Sequence, residues 1–122
     1  MIVDDRPSIR RILRALLTHI GFHRVEEAED GASAIERMRE RKIDLVIAEL
    51  DMTPVSGLEL LKTIRAHALF KDTPVVVTTA DATSPQILAA RDAGANGYII
   101  KPFNAASLQQ KIEAALTDIS VV

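Results

Sequence analysis

Cysteine is absent from this 122-residue chain, which removes disulfides, thiolate nucleophiles and Cys-ligated metals from consideration. An excess of either charge is also missing. The 15 basic and 17 acidic residues leave a net charge of −2, so no broad basic field exists for nucleic acid. No run approaches the ~18 apolar residues of a membrane span, and no leader segment precedes the first apolar run, so the expected location is the cytoplasm. The five glycines are spaced as helix stops and turns and form no phosphate-binding loop. His19, His23 and His67 lie on or beside helical patterns without paired ligand spacing, and so read as surface or packing residues. What is present is 48% apolar and 26% charged, an ordinary globular balance, at a length that suits one domain over 1–122.

The pattern along the chain alternates strand and helix five times. Ile2-Val3-Asp4-Asp5 forms a very short first strand, and Pro7 opens a helix with apolar Ile9, Ile12, Leu13, Leu16, Leu17 and Ile20, stopped at Gly21. A weak second strand is expected around Val25, then a turn at Glu29-Asp30-Gly31 and a helix over about 32–39. Leu45-Val46-Ile47-Ala48 is an uninterrupted apolar run too short for an isolated helix. It reads as the central strand of a parallel sheet and ends in Glu49. Gly57 to about His67 is the third helix, with Leu58, Leu61 and Ile64 inward. Val75 to Thr79 is the fourth strand, entered through Pro74. Ser84-Pro85 caps a helix running to about Ala93, Tyr98 to Ile100 is the last strand, and Asn104 caps a final helix carrying Leu108, Ile112, Ala115 and Leu116. Parallel crossovers require helices on both faces, so the expected fold is an α/β three-layer αβα sandwich around a five-stranded parallel sheet.

With parallel strands, Asp4, Asp5, Glu49, Thr79 and Lys101 converge at one end of the sheet, where open α/β sheets bind ligands. Three facing carboxylates incur desolvation and like-charge costs unless something positive sits among them. A hard divalent cation is the natural solution. Mg²⁺ accepts one to three carboxylates plus a backbone carbonyl and keeps several waters, and Asp4, Asp5, Glu49 and the Asp51 carbonyl supply such a set. Lys101 is placed to pair with Glu49 or with an incoming phosphoryl oxygen, and Thr79 to donate its hydroxyl to the same oxygen. Adjacent aspartates after a strand are also common turn formers; the coincidence at four strand ends is what points to chemistry.

These residues carry a resemblance. The chain resembles the receiver domain of two-component response regulators over essentially its whole length. It is especially similar to the stand-alone chemotaxis regulator of that family in EEAEDGASAI, GLELLKTIRA, ILAARDAGANGYIIKPF and AASLQQKIEAAL. The resemblance implies a flavodoxin-like (βα)₅ fold with strand order 2-1-3-4-5, and Mg²⁺ near Asp4 and Asp5. It implies Thr79 as the phosphoryl-sensing hydroxyl, Lys101 as the site lysine, a cis bond before Pro102 and Tyr98 as the aromatic switch residue. The function it implies is phosphorylation-dependent partner binding in a phosphorelay, without catalysis by the domain itself. The donor would be a histidine kinase or phosphotransfer protein. A downstream protein would dock on the fourth helix, fifth strand and fifth helix, with no direct nucleic acid binding and no membrane insertion.

One position departs from that family. Eight residues before Gly57, where the family has its phosphate-accepting aspartate, this chain has Glu49, and the loop reads Met52-Thr53-Pro54 with its proline displaced by one. A glutamate carboxylate stands one methylene, about 1.5 Å, farther from its backbone, and in-line transfer needs finer placement than that. The domain is therefore expected to be non-phosphorylatable or phosphomimetic, with Glu49 pairing with Lys101 and Thr79 and with Mg²⁺ weak. Asp51, two residues on, is a poor substitute acceptor. Only Met1-Ile2-Val3 precede Asp4, so reduced stability and a sheet edge favouring a weak homodimer are expected. Two other functions compete with this one. A metal-dependent phosphotransfer enzyme of the haloacid-phosphatase type lacks its D-x-D and its cap here. A purely structural dimerisation module would leave the polar strand ends unused.

Overall fold

Val46–Glu49 is buried at all four residues, as a central parallel strand must be. The computed structural model describes residues 1–120, with side chains through 117, so the expected domain boundary at 122 lies outside the described residues. In chain order the elements are β1 (Ile2–Val3), α1 (Pro7–Ile20), β2 (Glu27–Ala28), α2 (Gly31–Glu40), β3 (Val46–Glu49), α3 (Gly57–Ala66), β4 (Val75–Thr79), α4 (Pro85–Asp92), β5 (Gly97–Ile100) and α5 (Ala105–Ser120). All sheet pairings are parallel and the strand order is β2-β1-β3-β4-β5, as expected.

The alternation of side chains along each strand divides the core in two. Ile2, Ile47, Val76 and Ile99 pack with Leu13 and Leu17 of α1 and Leu108, Ile112 and Ala115 of α5. Val3, Val46, Ala48, Val75 and Val77 pack on the other face with Ala34 and Met38 of α2, Leu60, Leu61 and Ile64 of α3 and Ala90 of α4. The three-layer sandwich follows directly. Ile12 and Leu116, expected on inward stripes, are exposed, because each helix presents a narrower strip to the sheet than its apolar pattern covers.

Helix ends obey local chemistry. Ser84 accepts from the Gln86 amide and Asn104 from the Ser107 amide. Gly21 takes a left-handed φ of 114° and closes α1. The second strand lies two residues beyond the expected Val25, because Ile2 pairs with Glu27 and Val3 with Ala28. Its charged residues disguise it in the sequence. Glu27 is paired by Arg10 and Arg14 of α1 at 3.2 and 2.5 Å, and Glu26 by Arg37 and Arg41 at 3.5 and 3.1 Å.

At the opposite end of the sheet from Glu49, Arg65 joins two return loops. Its guanidinium donates to Gly94 O at 2.8 Å, Thr73 O at 2.6 Å, Lys71 O at 3.1 Å and Asn96 Oδ1 at 2.9 Å, while Asn96 Oδ1 also accepts the Val75 amide. Burial pushes the Arg65 pKa down, with the charge of Asp72 opposing. Removing the fork strands several carbonyls at once, so Arg65→Ala is expected to cost about 2–3 kcal/mol in urea unfolding. Arg65→Lys should recover little of it, since an ammonium cannot span the fork. A loss below about 1 kcal/mol for Arg65→Ala would show that water replaces these bonds.

Candidate functional site

The carboxyl ends of β1, β3 and β5 carry Asp4, Glu49 and Lys101. Residues two apart on a strand share a face. Asp4 follows Ile2, Glu49 follows Ile47 and Lys101 follows Ile99, so all three project toward the α1 and α5 side. Asp4 is 1% and Glu49 5% exposed, and the Lys101 side chain only 12%. Lys101 Nζ is in direct contact with Glu49 Oε2 and lies 3.5 Å from Asp4 Oδ2. Asp4 Oδ1 accepts the Arg6 amide at 2.9 Å, and Arg10 Nη1 donates to the Asp4 carbonyl at 2.7 Å. Glu49 Oε1 accepts the Asp51 amide at 3.0 Å, and Oε2 accepts the Thr78 hydroxyl at 3.2 Å. Burial pushes the Glu49 carboxyl above its usual range; Lys101 and the Asp51 amide work against that.

The expected Glu49–Thr79 pairing is replaced by Glu49–Thr78. The register sets Glu49 opposite Thr78, and Thr78 shares the face of Val76 while Thr79 shares that of Val77. Thr79 is fully buried, and its hydroxyl donates to Asp51 Oδ2 at 3.2 Å while accepting the Asp81 amide at 3.1 Å. Asp51 therefore contributes its carboxylate as well as its backbone to the site. Asp5 is exposed and makes no side-chain hydrogen bond or ion pair among the described residues. Tyr98 sits on β5, 44% exposed, with Lys111 Nζ 5.0 Å from the ring centroid. The Lys101–Pro102 bond is cis, and so is Thr53–Pro54.

Thr78 and Arg10 join the site without a clear signal in the sequence. The Thr78-Thr79 doublet signals a hydroxyl here but does not say which of the two faces Glu49. Arg10 belongs to an arginine-rich stretch that reads as a solvated helix face.

The donor chemistry of Asp4, Asp5, Glu49 and the Asp51 carbonyl suits a hard cation, but the arrangement does not fit one. Both oxygens of Asp4 and both of Glu49 already have partners, and an ammonium lies between the two carboxylates. Among the described residues no three acidic or imidazole side chains are grouped to hold a metal ion. A cleft of about 500 Å³, bordered by Met1, Arg24, Asp44 and Leu116, contains none of the converging residues.

Comparison with known proteins gives a consistent picture. The response regulator receiver domain family matches residues 1–113. The chain is 42% identical over 113 residues to chemotaxis protein CheY-3 of Vibrio cholerae, covering 93% of this chain and 87% of that protein. Among solved structures, the V. cholerae chemotaxis protein CheY4 superposes with a TM-score of 0.86 at 30% identity, covering 94% of this chain and 95% of that one. The receiver domain of a Pseudomonas aeruginosa sensor histidine kinase, solved with magnesium coordinated in its active-site cleft, superposes with a TM-score of 0.85 at 26% identity, covering 95% and 94%.

Proposed function

The chain belongs to the response regulator receiver family of two-component signalling, and from that premise we propose that it is a docking module whose site does not accept a phosphoryl group. A receiver domain of this family is not an independent catalyst. In this reading Glu49 stands where the family has its phosphate-accepting aspartate. The observation that carries the reading is the state of its carboxylate, buried and held by Lys101, Thr78 and the Asp51 amide, one methylene farther from its backbone than an aspartate's would be. The same contacts favour a silent site over a mimic. Glu49 does not engage Thr79, whose hydroxyl is held by Asp51, and Tyr98 points outward beneath Lys111.

The family's partners are a histidine kinase or phosphotransfer protein upstream and a target protein downstream. Support for a target site here is a groove of about 340 Å³ between α4, β5 and α5, bordered by Ile87, Leu88, Arg91, Tyr98 and Lys111. Among the described residues no helix is long and apolar enough to cross a membrane. We place the domain, spanning 1–122, in the cytoplasm with its kinases.

Incubation with acetyl phosphate and Mg²⁺ followed by intact mass measurement tests the proposal. The mass is expected to stay unchanged. A gain of one phosphoryl group that vanishes in Asp51→Asn would make the loop aspartate the acceptor. A gain lost only in Glu49→Gln would show that the extra methylene is tolerated.

A further inference from the structure

The cleft of about 500 Å³ lies at the end of the sheet away from Glu49, between the segments that lead into β2 and β3. Leu17 of α1, Phe22, Leu45 and Leu116 of α5 supply its apolar wall. Phe22 and Leu116 are 39% and 38% exposed, large side chains that the core leaves partly in water. Small-molecule sites of ~300–1,000 Å³ combine such a wall with a few placed charges.

The charges bordering the cleft do not cancel. Glu26 is already held by Arg37 and Arg41 at 3.5 and 3.1 Å. Arg24 and Lys42 are exposed and form no ion pair or hydrogen bond among the described residues. Asp44 is the only other carboxylate along the border, so two free cations stand against one free anion. A ligand that satisfies both halves has one anionic head and an apolar tail. Arginine and lysine suit the head, because their stems lie on apolar surface while their charges reach the rim.

We propose that this cleft binds a free medium-chain fatty acid, its carboxylate between Arg24 and Lys42 and its chain along Leu17, Phe22 and Leu116. Occupancy ties the segments leading into β2 and β3 together and stabilises the fold as the ligand concentration rises. The site shares no residue with the Glu49 cluster or with the groove beside Tyr98, so neither outcome of the mass experiment bears on it.

The test is a titration of the full chain with sodium octanoate below its micelle concentration, followed by backbone amide signals. Saturable shifts are expected in 22–26 and 41–45, with half-saturation at or below about 1 mM, the range open to a ligand of this size. Arg24→Glu and Lys42→Glu change exposed side chains, and each is expected to raise the half-saturation point at least about fivefold through loss of a charge-assisted contact. The same reversal at exposed Lys62 of α3 is expected to leave it unchanged. Undiminished binding by both cleft variants would overturn the proposal, as would an equal loss in Lys62→Glu. In the wild type alone, the absence of a saturable shift by about 10 mM, or shifts confined to the groove beside Tyr98, would overturn it too.

Discussion

Substitution of Lys101 by methionine is expected to lower the unfolding free energy by about 3–5 kcal/mol at neutral pH without metal, the cost of leaving buried charges uncompensated. For a chain of this length that corresponds to a fall in melting temperature of about 10–20 °C. Asp4 and Glu49 are both almost wholly buried, and Lys101 is the ammonium they share. The pH dependence gives the effect its signature. Burial raises the Glu49 pKa from its ordinary value near 4.5, so the folded state holds a proton that the unfolded chain has already released. Stability from this group therefore falls as pH rises from about 4.5 through the folded value. Without Lys101 the folded value moves higher still and the penalty grows, so the two proteins should converge near pH 4 and diverge toward pH 7. Thermal unfolding across that range measures it. A parallel offset at every pH would mean that methionine is merely packed badly.

Gly57→Ala is expected to cost about 2–4 kcal/mol for a different reason, an overpacked junction with nowhere to relax. A Cβ on Gly57 would run into the carbonyl oxygen of Glu49, lie 2.8 Å from its carbonyl carbon and 3.0 Å from Leu50 Cα. All three are backbone atoms of the β3 terminus and cannot rotate aside. Either α3 withdraws from β3 or the end of β3 moves, and the second option drags Glu49 from its partners. Ser56 would still cap α3 through the Glu59 amide, so the loss is assignable to the contact and not to the helix end. Denaturant unfolding reads the cost directly. A change below about 1 kcal/mol would show the junction to be compliant.

Much of this architecture is legible in the chain before any coordinates. Val46 to Glu49 announces a central strand because apolar residues without interruption need cover on both faces, and Pro7, Gly21, Ser84 and Asn104 mark helix ends through their own backbone chemistry. The strand at Glu27 escapes notice because Glu26 and Glu27 look solvent-bound until Arg10 and Arg14 of α1, Arg37 of α2 and Arg41 just beyond it are brought to them. At the site, convergence of Asp4, Glu49 and Lys101 follows from parallel strand ends. The choice between Thr78 and Thr79 does not, since a shift of one residue exchanges the two faces of a strand and only the register decides it. Lys101's hold on two carboxylates is equally invisible, because it depends on the reach of three side chains from three strands.

The Asp4–Lys101 contact joins residues 97 positions apart, and this has a kinetic consequence. Loop closure over such a span is slow and is rewarded only when the intervening strands are already in place. Asp4 and Glu49 come together as soon as β1 docks beside β3, whereas the ammonium that reconciles them arrives on β5, the last strand of the chain. During folding and during synthesis the two carboxylates therefore meet first as repelling neighbours. The pocket remains ajar until the carboxyl-terminal third of the polypeptide is home, and its closure marks the end of the folding reaction.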